Sequence, residues 1–165
     1  MFLQGIKEES MKAKNKLLTL LILSAGAAVT TAGINKAIQF SAISKNFLAE
    51  PEPLCFKWRL GNVYYTKEGT GKPLLLIHDL DTCTSGYEWK QLIPFLSSKY
   101  TVYTIDLLGF GRSEKANMTY TNFLYVQLIS DFIKSEIGHR TSIITSGEAA
   151  SIPLMACANN PDLFD

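Results

Sequence analysis

The sequence predicts an α/β fold, in which a sheet opens with a hairpin and continues as parallel strands flanked by helices. Beyond residue 54, short apolar runs such as "PLLLIHD" and "YTVYTIDL" alternate with helix-like stretches such as "NFLYVQLISDFIKSEIG". Continuous apolar runs are typical of strands buried on both faces, and their alternation with helices indicates a parallel sheet. An uncharged segment near the amino terminus predicts a membrane-directed helix ahead of this sheet.

The uncharged segment covers residues 17–34; several lysines precede it and Lys36 follows it. At about 1.5 Å per helical residue, it is barely long enough to cross the core of a bilayer. We expect an uncleaved anchor; a signal peptide cleaved near Ala27 and a buried core helix are the alternatives. Because more lysines precede the segment than follow it, we expect a single-pass protein of the cell membrane with an extracytoplasmic carboxyl-terminal domain. Cleavage would instead give a secreted protein.

The sequence divides into three predicted parts. Residues 1–45 form the anchor or signal segment. Residues 46–54 are a linker, because two prolines two positions apart cannot continue a helix. Residues 55–165 form the folded domain.

The folded domain opens with a predicted β-hairpin, "CFKWRL" and "VYYTKEG", joined by Gly61 and Asn62, a turn pair that tolerates positive φ. "YEWKQLIPFLSSK" is predicted to be helical, with its large apolar residues on one side. "NFLYVQLISDFIKSEIG" is predicted to be a helix that ends at Gly138. "TSIIT" is then a strand, and "EAASIPLMACANN" a helix that Pro153 interrupts or delays.

The composition excludes several classes of function. A chain of 165 residues with 47% hydrophobic and 19% charged residues is long enough for one domain with a core. A net charge of +1, with no basic stripe between aromatic residues, argues against nucleic-acid binding. The three cysteines, Cys55, Cys83 and Cys157, lack the spacing of a disulfide framework or a zinc site. We therefore expect neither a metal nor a cofactor.

Three motifs follow the ends of predicted strands. "LLLIHD" places His78 and Asp79 after the first buried strand. "DLLGFGRSE" follows the second, and "IITSGEAAS" leads from the third into a helix. Read as a phosphate loop, "GFGRSE" would need a third glycine where Glu114 stands, which argues against a dinucleotide site.

Together these motifs resemble those of the α/β-hydrolase family over about residues 56–165, the first half of the family's domain. The resemblance implies an Asp-x-x-Gly-x-Gly-x-Ser turn after the second parallel strand, matched here by Asp106, Gly109, Gly111 and Ser113. It also implies an oxyanion hole formed by the turn residues His78, Asp79, Leu80 and Glu148. His78 fits the family's pattern, but an aspartate, Asp79, stands where the family has glycine.

The family's nucleophile elbow is a G-x-S-x-G turn between a strand and a helix. Counted forward from Ile143 and Ile144, or back from Pro161, the position of its serine is Gly147, which has no side chain for attack. Ser146 is the candidate nucleophile, but it lies one position early, where strand alternation aims its hydroxyl away from the crevice. The family places its acid and its histidine after later strands, and the sequence ends at Asp165 before these strands.

The sequence therefore predicts a membrane-tethered α/β-hydrolase family protein that is catalytically incomplete as given, a possible pseudoenzyme. One alternative is a serine hydrolase that cleaves an ester or similar acyl compound with Ser146 and with partners beyond residue 165. The other is a non-catalytic interaction module. The expected partners are the membrane and a small acyl or ester ligand.

Overall fold

The computed structural model describes residues 16, 29–38, 40–41 and 54–165. The chain divides into two compact units, Met1–Phe47 and Leu48–Asp165. In the first unit, residues 29–38 are helical.

The predicted membrane anchor falls largely outside these residues, because 17–28 are not among them, and neither are residues 46–53 of the predicted linker. Within the described part of the chain, no helix combines the length and the apolar character needed to cross a bilayer. The predicted anchor therefore gains no support from the structure.

The second unit is built on a sheet that has five strands within residues 54–165: β1 (Leu54–Trp58), β2 (Gly61–Glu68), β3 (Lys72–Ile77), β4 (Tyr100–Ile105) and β5 (Ser142–Thr145). Their spatial order is β1-β2-β4-β3-β5. β1 and β2 form the predicted antiparallel hairpin, β2 pairs antiparallel with β4, and β3 runs parallel to β4 and β5. The carboxyl ends of three parallel strands therefore meet at one edge, the edge at which open α/β sheets bind ligands.

The long helix Asn122–Phe132 covers one face of this sheet. Thr121 caps its amino terminus, because the threonine hydroxyl accepts a hydrogen bond from Leu124 N at 3.2 Å. A π-helical turn, Ile133–Ile137, continues the helix to Gly138, whose φ of 72° ends it as the sequence predicts. Phe132, which is fully buried, packs against the tyrosine rings of β2 and β4.

The other face of the sheet is covered by the chain between β3 and β4. The continuous helix predicted for "YEWKQLIPFLSSK" is wrong: the structure has a 3₁₀-helix, Gly86–Trp89, and a short α-helix, Ile93–Leu96. Pro94 explains the break, because proline lacks an N–H and is tolerated only in the first turn of a helix. Ile93 still packs against the buried leucines of β3.

A short turn of 3₁₀-helix, Gly147–Ala150, leads from β5 into the α-helix Ser151–Asn159, here called the elbow helix. Pro153 lies in the first turn of the elbow helix, so it delays the helix and does not interrupt it. Ala149 and Ile152 are fully buried, and they fix the start of this helix against the sheet.

Candidate active site

The turn after β4, residues 106–114, is held by the side chains of its own motif. Asp106 Oδ1 accepts a hydrogen bond from Gly86 N at 2.7 Å, and Asp106 Oδ2 accepts one from Arg112 N at 2.8 Å. Ser113 Oγ donates to Asp106 O at 2.5 Å and accepts from Tyr64 N at 2.8 Å. Asp106 and Ser113 are both buried. These bonds tie the turn to β2 and to the chain after β3.

The two glycines of this turn are required by its geometry. Gly111 has φ of 47°, and a Cβ atom there would lie 2.2 Å from Asp106 Oδ2. Gly109 has φ of 92°, and a Cβ atom there would lie 3.0 Å from the ring of Tyr120. Side chains at either position would therefore collide with a neighbour in a backbone conformation that already favours glycine.

His78, at the end of β3, is fully buried, and both of its ring nitrogens are engaged. Nε2 accepts a hydrogen bond from Leu107 N at 2.9 Å, so the proton of the neutral ring is on Nδ1, which donates to Asp79 O at 2.6 Å. Burial lowers the pKa of His78 below its ordinary value, and the hydrogen bond to Asp79 O and the neighbouring acidic groups offset part of that shift. His78 thus joins β3 to the turn after β4 and has no nitrogen left to act as a base.

Gly147 occupies the strand-to-helix turn after β5. Its φ is 55°, whereas Ser146 before it is extended, with φ of −108° and ψ of 153°. A left-handed residue at this point matches the strained position that carries the side chain of a nucleophile elbow. The structure therefore places glycine, and not Ser146, at the apex of the turn.

Asp79 accepts the two backbone N–H groups that would form the oxyanion hole. Its Oδ1 atom lies 2.7 Å from Leu80 N and 2.8 Å from Glu148 N. In the nucleophile elbow, the hole is made by the N–H after the nucleophile and by one from the loop after β3. Glu148 and Leu80 hold those two positions. A negatively charged oxygen of the chain itself therefore fills the hole.

The Asp79 carboxylate also fills the space above Gly147. A Cβ atom at residue 147 would lie 2.0 Å from Asp79 Oδ2 and 2.1 Å from Asp79 Cγ. Such distances are far inside van der Waals contact, so a side chain at 147 and the present position of Asp79 are incompatible. The two departures from the family's pattern, Asp79 and Gly147, are thus parts of one arrangement.

Ser146 lies beside the apex, and its hydroxyl hydrogen-bonds to Glu88 Oε1, on the 3₁₀-helix after β3. Its backbone N donates to Ile77 O at 3.3 Å, which continues the pairing of β5 with β3. Ser146 thus has a carboxylate partner but no pair of N–H donors, because Glu148 N already donates to Asp79.

The other histidine, His139, precedes β5, whereas the elbow follows β5, so the two lie at opposite ends of that strand. Within residues 54–165, no three His, Cys, Asp or Glu side chains are grouped as metal ligands would be.

Two features of the site are missing from the sequence-based prediction. The sequence marks Asp79 only as a replacement for glycine, and it gives no role to Glu88. The sequence does carry a signal for the role of Asp79, because an acidic residue in the loop after β3 is combined with a glycine at the apex of the elbow. The contact of Glu88 with Ser146 joins residues 58 positions apart, and the pattern of apolar residues did not reveal it.

No protein-family model matches the chain, but single proteins are similar to parts of it. The chain is 36% identical over 72 residues to a 2-hydroxy-6-oxo-6-(2'-aminophenyl)hexa-2,4-dienoic acid hydrolase of Metapseudomonas resinovorans, covering 43% of this chain and 25% of that protein. It is 29% identical over 104 residues to a soluble epoxide hydrolase of Corynebacterium sp. (strain C12), covering 62% and 35%.

Among solved structures, the epoxide hydrolase CorEH without ligand superposes with a TM-score of 0.63 at 26% identity, covering 68% of this chain and 39% of that one. The chain thus spans well under half the length of each of these three proteins. The likenesses show the α/β-hydrolase fold over the part of the chain that they cover, as the three motifs predict.

Proposed function

Because the chain has the α/β-hydrolase fold, we propose that it is part of a membrane-tethered α/β-hydrolase family protein that does not carry out serine acyl transfer. One observation carries the proposal: the Asp79 carboxylate accepts the hydrogen bonds of both Leu80 N and Glu148 N. These are the donors that an acyl intermediate would need for its developing oxyanion. The protein is catalytically incomplete for that reaction.

Serine acyl transfer needs an attacking hydroxyl, a base that takes its proton, and free donors for the oxyanion. Gly147 supplies no hydroxyl, and His78 has no free nitrogen. Loss of a single oxyanion donor lowers the rate by about 10² to 10³, and here both donors are engaged by a charge that would repel a second oxyanion. The three deficits act together on one reaction.

The names of the two relatives, a dienoic acid hydrolase and an epoxide hydrolase, support hydrolase ancestry without favouring one substrate. The hydrogen bond from Ser146 to Glu88 favours a second candidate function, cleavage of an ester by Ser146 with residues beyond 165. A carboxylate that accepts from a serine hydroxyl is a possible proton acceptor. The missing N–H donors at Ser146 make this candidate the weaker of the two.

A fluorophosphonate probe separates the two functions. The full chain, purified in detergent, is treated with the probe beside an active serine esterase, and modified peptides are identified by mass spectrometry. We expect the esterase to be labelled and Ser146 to remain unmodified. Stoichiometric modification of Ser146 that the Ser146→Ala variant abolishes would replace the proposal with the serine hydrolase.

The membrane tether rests on the uncharged segment 17–34 and its flanking lysines. We expect the expressed chain to stay with the membrane fraction through an alkaline wash and to expose its carboxyl-terminal domain on the extracytoplasmic side. Release of the full-length chain by the wash would contradict the anchor. A soluble chain shortened near Ala27 would establish the cleaved signal peptide and a secreted protein.

A further inference from the structure

A cavity of about 230 Å³ lies over β2 and β4, on the face of the sheet away from the long helix. Its floor carries Thr66 and Thr104, which are paired residues on these two strands. Its wall is formed by the chain between β3 and β4, through residues such as Tyr87 and Ile93. The elbow follows β5, and β3 separates β5 from β4, so this cavity is distinct from the elbow.

Two hydrogen-bond donors of residues that line the cavity have no partner among the residues that the structure describes. They are Thr104 Oγ1 and Arg112 Nε, and both atoms are buried. Thr104 is only 5% exposed, and Arg112 Nε lies 3.9 Å from Asp106 Oδ2, which is too far for a hydrogen bond. Because buried polar groups in proteins are nearly always hydrogen-bonded, a ligand with acceptor oxygens would complete both groups.

The charges around the cavity favour a negative group at one end and disfavour it at the other. Arg112 lies at the end formed by the turn after β4, and Lys90 is exposed on the wall. The Asp106 carboxylate at the Arg112 end already accepts hydrogen bonds from two backbone N–H groups. Glu68 lies two residues beyond Thr66 on the same face of β2, so it puts a negative charge at the other end of the floor.

We propose that the cavity is a binding site for a small organic monocarboxylate with an apolar body. One carboxylate oxygen accepts from Arg112 Nε and the other from Thr104 Oγ1, while the apolar body packs against Tyr87 and Ile93. Arginine suits this role because its N–H groups form charge-assisted hydrogen bonds with carboxylates. The site goes beyond the proposed function and uses none of the groups at the elbow, so either claim can fail without the other.

Other classes of small ligand suit these groups less well. An ammonium ion would leave both donors without a partner and would lie next to the guanidinium of Arg112. A neutral amide would supply an acceptor oxygen but no charge for the guanidinium. A dicarboxylate or a phosphate dianion would bring a second negative charge towards Glu68 and Asp106. A single carboxylate therefore satisfies the donors with the least repulsion.

The test measures the binding of benzoate and of hexanoate to the full chain, purified in detergent, by calorimetry with matched detergent blanks. Benzamide is the neutral counterpart of benzoate, and terephthalate is the dicarboxylate. We expect both monocarboxylates to bind saturably, with dissociation constants below about 10 mM. Benzamide and terephthalate should bind at least roughly tenfold more weakly than benzoate. In nuclear magnetic resonance spectra, the Nε–H proton of Arg112 should move downfield as benzoate is added.

Two variants separate a ligand site from a structural feature of the turn. Thr104→Val replaces the unpartnered hydroxyl with a methyl group, so benzoate affinity should fall roughly tenfold while the midpoint of urea denaturation does not fall. Arg112→Gln removes the charge and should lower benzoate affinity at least as much. Arg140→Gln, on an exposed arginine outside the cavity, is the charge-matched control and should bind benzoate like the wild type.

Three results would overturn the proposal. The first is the absence of saturable binding of both monocarboxylates below about 10 mM. The second is equal affinity for benzamide and benzoate, which would show that the site does not recognise the charge. The third is wild-type affinity for benzoate in both Thr104→Val and Arg112→Gln, which would place the ligand elsewhere.

Discussion

The turn after β4 and the turn after β5 lie at the same edge of the sheet, and their motif residues do different things. In the first turn, Asp106 and Ser113 bond to backbone groups of β2, of the chain after β3 and of the turn itself. In the second turn, Gly147 has no side chain. Asp79, in the loop after β3, accepts the hydrogen bonds of Leu80 N and Glu148 N. The first turn serves the architecture of the sheet, whereas the second leaves its backbone donors to a carboxylate from another loop.

This difference explains why one motif matches the family completely and the other does not. The residues of the β4 turn are buried and mutually bonded, so each change there leaves a polar group without a partner. The apex of the elbow faces outward, and Gly147 is exposed. A complete match at the β4 turn therefore reports the fold, whereas only the elbow reports the reaction.

The comparison predicts its largest effect at Asp106. Asp106→Ala removes the acceptor of two hydrogen bonds and leaves Gly86 N and Arg112 N without it. We expect the free energy of unfolding to fall by about 3 to 5 kcal/mol, measured by urea denaturation. Asp81→Ala, at an exposed site, is the control and should cost less than about 1 kcal/mol. A loss at Asp106 as small as that of the control would remove the architectural role of this turn.

A double-mutant cycle tests the joint arrangement of Asp79 and Gly147. Gly147→Ser alone should lower the free energy of unfolding by about 1 to 3 kcal/mol, because the new Cβ meets the Asp79 carboxylate in a left-handed conformation. In an Asp79→Gly background, the same substitution should cost much less, which gives a coupling energy of about 1 to 2 kcal/mol. Additive effects of the two substitutions would show that the residues are independent.

The pH dependence of stability tests the neutral state of His78. Since burial lowers its pKa in the folded state, the unfolded chain binds more protons at and below about pH 6.5, and stability should fall there by up to about 1.4 kcal/mol per pH unit. This contribution should be constant above that range. The free energy of unfolding is measured for the wild type and for His78→Gln between about pH 5 and 8. The difference between the two curves gives the contribution of His78, because all other groups titrate in both proteins. An unchanged slope in His78→Gln would mean that the pKa of His78 is the same in the folded and the unfolded chain.

The smallest expected effect is at Ser146. Its side chain makes one hydrogen bond, to an exposed glutamate, so Ser146→Ala should change the free energy of unfolding by no more than about 0.5 kcal/mol. Urea denaturation of Ser146→Ala beside the wild type measures this change. A loss of about 2 kcal/mol or more would show that the bond from Ser146 to Glu88 holds the turn after β5.

The sequence predicted the sheet and most of its helices because their signals are local. "PLLLIHD" and "YTVYTIDL" are apolar over their whole length, and the structure pairs them as parallel strands. Gly138 ends the long helix as predicted. The helix around Pro94 was predicted wrongly, because the period of its apolar residues outweighed the effect of the proline.

The content of the site was less predictable, because it depends on contacts between distant parts of the chain. From the sequence alone, counting forward from Ile143 and Ile144 and counting back from Pro161 both place the nucleophile position at Gly147. The bond from Glu148 N to Asp79 joins residues 69 positions apart, and no sequence pattern gives its geometry. A substitution in a motif shows that a function has changed, but the structure is needed to show what fills the space.

The most direct test of the central claim compares the backbone amide proton shifts of Leu80 and Glu148 between the wild type and Asp79→Ala by nuclear magnetic resonance. If Asp79 Oδ1 accepts from both N–H groups, both amide protons should move upfield when this acceptor is removed. The amide of Gly86, which donates to Asp106, should keep its wild-type shift. A Glu148 amide proton that does not move in Asp79→Ala would contradict the claim that this carboxylate fills the oxyanion hole.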